Sequence, residues 1–136
     1  MISIEDRFSI LEVLDQANRA ADDKDVAGTQ RFYAEGGRIE GDMQASGDRD
    51  AFAEALGQIY ENEPGLKRHV GTGHVMREEG ERVVVDSLLT VFDGEEAPGV
   101  VATAAIRDEM VRQGGDWLID RHVVRMDPAT KKAMRG

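Results

Sequence analysis

The feature that most constrains this chain is a change of hydrophobic period at Pro64-Gly65. Beyond it, residues 68–76, 82–92, 100–112 and 117–126 are rich in valine, threonine and isoleucine, the composition of strands. Turn signals separate them: Glu79-Gly80, Asp93-Gly94 with Pro98-Gly99, and Gly114-Gly115. A parallel pair would need a crossover of about a dozen residues or more, so these short connections predict an antiparallel, curled sheet.

Before Pro64 the period is helical. Ile4, Phe8, Ile10, Leu11, Val13, Leu14, Ala17 and Ala21 recur at spacings of three and four, after a start at Ser3 and Asp6. A second short helix is expected over residues 25–34, closed by Gly36 and Gly37, and a third over residues 48–60, opened by Asp48. Helices followed by strands define an α+β arrangement in which the helices cover one face of the sheet. If the strands bend around the helices, the concave side becomes a pocket. One domain is expected over residues 1–127, with residues 128–136 as a basic, loosely held tail.

Charge and composition narrow the partners. With 17 basic and 27 acidic side chains the net charge is −10, which repels phosphate backbones and anionic lipid, so neither nucleic acid nor a membrane is an expected partner. The absence of cysteine excludes disulfides, thiolate metal sites and a cysteine nucleophile. The polar, acidic start Met1 to Asp6 is unlike a signal peptide, and no run of about 18 apolar residues occurs, so the expected location is cytoplasmic.

Three histidines carry the titratable chemistry near neutrality. In an alternating strand His69 shares a face with Gly71, Gly73 and Val75, while His74 points the other way with Val70, Thr72 and Met76. A metal site using both is therefore not expected, and no other ligand cluster is present. Asp22 stands apart from the other carboxylates. At about 100° per residue it lies five turns after Ile4 and within about 20° of Leu11, which points it inward. An inward carboxylate requires a donor, and a histidine of the facing strand supplies one. If Asp22 binds one ring nitrogen of His69, the other becomes a general base aimed into the cavity. His122, on a face with Leu118, Val124 and Met126, is either a second acid or anion binder in that pocket or a core histidine. Trp117, Leu118 and Ile119 read as core, and Phe32, Tyr33, Phe52 and Tyr60 as packing residues of helices.

The chain resembles the SnoaL-like branch of the nuclear transport factor 2-like superfamily, which includes scytalone dehydratase and hexachlorocyclohexane dehydrochlorinase. The likeness spans nearly the whole sequence. It is carried by the opening helix ending in Ala-Asp-Asp-Lys-Asp, the stretch from Phe32 to Gly41, the strand starting Arg68-His69-Val70-Gly71-Thr72-Gly73, and the closing run from Gly115 to Asp127. The resemblance implies a cone-shaped α+β barrel, with N-terminal helices packed on the concave face of a curved, mainly antiparallel sheet around an apolar pocket. It also implies that an aspartate at the end of the first helix, matched by Asp22, orients a histidine, matched by His69, that takes a proton from carbon. Two positions depart from the pattern. His122 stands where the dehydrochlorinase type has arginine, with Arg121 and Arg125 nearby, and Gly73 stands where many relatives have asparagine.

The expected activity is that of a cofactor-independent lyase or isomerase on a small apolar, cyclic molecule, with Asp22 and His69 catalytic and His122 and Arg121 binding the substrate. The alternative is a non-catalytic module of the same fold that binds a small hydrophobic ligand or serves dimerisation. Apolar residues on both faces of residues 82–92 point to a homodimer or homotrimer.

Overall fold

The structure is a computed structural model describing residues 1–136. Side-chain caps start three of its four helices. Ser3 accepts from the Asp6 amide at 3.0 Å to open α1 (Ile4–Asp22), Asp25 accepts from Gly28 to open α2 (Val26–Gln30), and Asp48 accepts from Ala51 to open α3 (Arg49–Glu61). The strands are β1 (Tyr33–Gly41), β2 (Lys67–Glu79), β3 (Arg82–Asp93), β4 (Gly99–Gln113) and β5 (Asp116–Met126), and α4 (Pro128–Arg135) closes the chain. They form one sheet in the order β1-β5-β4-β3-β2. From β2 to β5 it is the antiparallel meander that the short turns require.

Two segments differ from the sequence expectation. The second helix stops at Gln30, and Tyr33 begins a strand that pairs in parallel with β5 at the sheet edge. The Gly36-Gly37 pair does not close a helix. Gly36 has φ +76°, and the register shifts between Tyr33 and Arg38, so the glycines let β1 bulge. Residues 128–135, expected as a loose tail, are helical, with Pro128 at the first helical positions after Asp127. Polar groups hold this helix down: the buried Thr130 hydroxyl accepts from the Thr103 amide at 2.8 Å, and Lys131 reaches Asp42 at 3.5 Å.

The core lies between the helices and the concave face of the sheet. Ile10 and Leu14 of α1, and Phe52, Leu56 and Tyr60 of α3, pack on Val85, Ile106, Met110, Ile119 and Val124. The buried stripe of α1 is displaced from the one expected. Ile4 and Phe8 remain 70% and 68% exposed, while Ile10, Leu14 and Asp22 are buried. Asp22 does point inward, and the first turn is tied to the sheet through Asp6, which accepts from Trp117 Nε1 at 3.0 Å, rather than through Ile4. No helix is long and apolar enough to cross a membrane.

Candidate active site

Bulges decide which side chains enter the concave space. In β2 the pairing with β3 slips between Thr72 and Val75, where Gly73 takes φ +65°. A left-handed residue of this kind is open to glycine and costly for most others. The slip inverts the alternation. His69 and Gly71 face the cavity before the bulge, and His74 faces it afterwards. The expectation that His69 and His74 point opposite ways is therefore corrected: one extra residue turns His74 inward. A second slip, between Ile119 and Arg121 opposite Met110 and Glu109, works likewise in β5. It places Ile119, His122, Val124 and Met126 on the cavity wall and turns Leu118 away.

All three histidines of the chain consequently line one cavity of about 140 Å³. Of its 27 lining residues 17 are hydrophobic, and none is a lysine or arginine. A neutral, largely apolar guest is favoured by such a wall. The volume compares with the roughly 150 Å³ apolar cavity that accommodates benzene, which sets the scale at one ring.

Asp22 and His69 meet as the helix-face argument required. Oδ1 of Asp22 accepts from the His69 backbone amide at 2.7 Å and lies 2.7 Å from Nδ1 of its ring. With Nδ1–H donating to the carboxylate, Nε2 is left for the cavity. Asp22 is 7% exposed and does not itself line the cavity, so it stands behind the ring. The Arg68 guanidinium approaches its other oxygen at 3.8 Å from the outer side. Glu63, in the connection between α3 and β2, places Oε1 3.7 Å from Nε2 of His69. Burial pulls the His69 pKa down, but Glu63 and Asp22 together outweigh it, and the net shift is upward from 6.5.

A second histidine–carboxylate pair faces the same space. His122 Nδ1 lies 2.5 Å from Oδ1 of Asp108, directly across the β4–β5 pairing, and Asp108 is 2% exposed. Burial lowers the His122 pKa and His69 lowers it too, but the Asp108 charge and hydrogen bond together outweigh both, leaving it above 6.5. Sequence reasoning passed over Asp108. The signal was present: Ile106, Asp108 and Met110 alternate on one face of a strand, so an inward Asp108 follows from the inward apolar neighbours. Glu63 carried no such signal, since it lies in a turn without periodicity.

Arg121 is not brought to the site. It lies outside the cavity wall, where it donates to Glu40 and Glu109 at 2.7 Å each, in a chain of ion pairs that continues to Arg82 and Asp120. The slip in β5 that turns His122 in leaves its neighbour out. Of the aromatics expected on helices, Tyr33 belongs to β1 and packs on Phe52 with ring centroids 5.0 Å apart. Tyr60 reaches the cavity and shares a 2.7 Å hydrogen bond with Thr29; burial lifts its pKa to about 12, so it is a neutral wall group. No group of three or more histidine, aspartate or glutamate side chains converges in a way that could hold a metal ion.

A family profile described as a SnoaL-like domain matches residues 3–123. No match is found among curated proteins. Among solved structures, a protein of unknown function with a cystatin-like fold from Nostoc punctiforme superposes with TM-score 0.86 at 19% identity, covering 94% of this chain and 96% of that one. A protein from Catenulispora acidiphila, solved in complex with S-DNPA, gives 0.81 at 20% identity, with 96% and 99% covered. A candidate scytalone dehydratase from Novosphingobium aromaticivorans gives 0.75 at 15% identity, with 91% and 85% covered. At these identities the likeness is one of fold.

Proposed function

Because the chain belongs to the SnoaL-like domain family, we propose that it is a cofactor-independent lyase or isomerase of the dehydratase kind, acting on a small, neutral, cyclic molecule. The observation that carries this reading is the Asp22–His69 pair at the edge of an apolar cavity, with one carboxylate oxygen binding both the ring and the backbone amide of the same residue. The two hydrogen bonds to one oxygen fix the ring and leave its Nε2 facing the cavity.

His69 Nε2 takes a proton from a carbon next to a carbonyl, and the electron pair of the broken C–H bond moves into an enolate. Asp22 stabilises the imidazolium so formed. His122, held by Asp108, donates toward the enolate oxygen or the departing group. In an elimination the leaving group departs with a proton; in an isomerisation His69 returns the proton to a different carbon. A well-placed base contributes about 10² to 10⁴ in rate. The cavity volume supports a guest of about one ring, and a candidate scytalone dehydratase among the structural neighbours agrees with this chemical class.

The test is hydrogen–deuterium exchange at the α-carbon of a panel of cyclic ketones in deuterated water, followed by NMR. Wild type is expected to accelerate exchange for at least one member, and His69→Ala to remove about 10² or more of that rate. Since only neutral His69 is a base and its pKa is raised, the rate should climb with pH through a midpoint above 6.5. Equal exchange in wild type and His69→Ala would leave the second reading, a module that binds a small hydrophobic ligand. That reading is favoured by the raised pKa, which keeps a larger share of His69 cationic near neutrality.

A further inference from the structure

Glu63 is a partly exposed carboxylate beside the buried Nε2 of His69. His69 has 11% of its side chain exposed and Glu63 29%, and Glu63 also lines the cavity. Its carboxylate lies 3.7 Å from Nε2, slightly too far for a hydrogen bond and close enough that a change of rotamer makes one. The main chain beneath it is tied down. Lys24 Nζ donates to the Glu63 carbonyl, and Lys24 is the single non-glycine residue with positive φ, at +53°. The strained residue that ends the first helix therefore grips the loop carrying Glu63. This joins the two ends of the site: Asp22 closes α1, Lys24 follows it, and Glu63 sits over the ring that Asp22 holds.

A base in an apolar cavity must lose the proton it has taken before it can act again. Nδ1 is committed to Asp22, which is buried behind the ring, so the proton on Nε2 has no direct way out through that side. We propose that Glu63 is a positioning residue and proton outlet for His69: its carboxylate accepts the Nε2–H of the protonated ring and releases that proton to solvent, and a guest in the cavity displaces it from Nε2. In the relay the N–H bond breaks as an O–H bond forms on Glu63, and water then takes the proton, so the step needs no further reactant. The inference rests on the reading of His69 as a base.

The charges that bear on His69 come from every element around it. Asp22 approaches from α1 and Glu63 from the α3–β2 connection, both favouring the cation; His122 of β5 opposes it, while Arg68 at 3.8 Å steadies Asp22. His74 and Asp108 stand on the same cavity wall, and Tyr60 remains neutral there. Removing the Glu63 charge leaves the others in place.

The experiment is an NMR titration of the His69 ring in wild type, Glu63→Gln, Glu63→Asp and the neighbouring control Glu61→Gln, with no substrate present. The His69 midpoint is expected to fall by about one pH unit in Glu63→Gln, the low end of what an opposite charge at this distance produces. It should fall by less in Glu63→Asp and stay put in Glu61→Gln. With an exchange-active ketone, Glu63→Gln should lower kcat with little change in KM, and its pH profile should move the same way as the titration. An unmoved His69 midpoint in Glu63→Gln overturns the assignment whatever the turnover. A shifted midpoint in a protein whose wild type exchanges no ketone would instead leave Glu63 coupled to His69 and defeat the base reading, so the two failures are distinguishable.

Discussion

At the scale of single residues, the site depends on buried carboxylates that each have a donor. Asp22→Asn keeps the size of the side chain and loses the charge that stabilises the imidazolium, so exchange should slow by about 10² or more in the ketone assay. Asp22→Ala goes further. It leaves the His69 amide without its acceptor, and urea unfolding should register a loss of about 1–3 kcal/mol. The two histidines also make stability depend on pH. Both have folded-state values above 6.5, so their contribution is complete below that pH and disappears as pH rises through the raised values. The expected outcome is a urea midpoint that declines from pH 6 upward through the neutral range. A His122→Gln variant should show a shallower decline, and an identical decline in that variant would discount the Asp108–His122 pair as its source.

At the scale of elements, single-residue slips in strands do the work of aiming side chains. Gly73 is where β2 changes phase, and its φ of +65° is open to glycine. Gly73→Ala should destabilise the protein by about 1–2 kcal/mol, the usual cost of forcing a side chain into the left-handed region. Space is not the obstacle, because the nearest atom to an added Cβ is a Leu88 methyl at 3.8 Å. Gly99→Ala supplies the control: no positive φ is involved, and nothing lies within 4 Å of an added Cβ. Equal urea midpoints for the two variants would remove backbone strain as the explanation. The caps act at the same scale, and Asp25 shows how local the rule is. It starts a helix as expected, yet that helix ends within five residues because Tyr33 is needed in the sheet.

At the scale of the whole molecule, helices and sheet together enclose the cavity, and residues from both shape it. Leu56 of α3 is 2% exposed in the core and also lines the cavity. Leu56→Ala should cost about 2–5 kcal/mol, less if the site relaxes, and should widen the range of cyclic guests that bind. The outer face of the sheet presents a different problem. Val70, Leu88 and Phe92 are 40%, 58% and 37% exposed there, on the two neighbouring strands β2 and β3. This is the patch on which the proposed homodimer or homotrimer would form. Sedimentation equilibrium should return a mass above 15.0 kDa for wild type and a shift toward the monomer for Leu88→Lys; a wild-type monomer at micromolar concentration would dismiss the assembly.

The change from helices to an antiparallel meander after Pro64, the caps at Ser3, Asp25 and Asp48 and the inward Asp22 were legible in the sequence, because each follows from periodicity or from a side chain bonding its own neighbourhood, whereas β1 and α4 were not. Asp108 was legible in the same way, though alternation had to be read through a charged residue. What the tertiary structure alone decided was phase and pairing. Whether His74 or Arg121 faces the cavity turns on where β2 and β5 slip against their partners, and those slips are set by how two strands fit together. The parallel pairing of β1 with β5, and the approach of Glu63 to His69, likewise join residues far apart in the chain. A local pattern carries no record of such meetings, since the energy that fixes them arises only when the sheet closes around the helices.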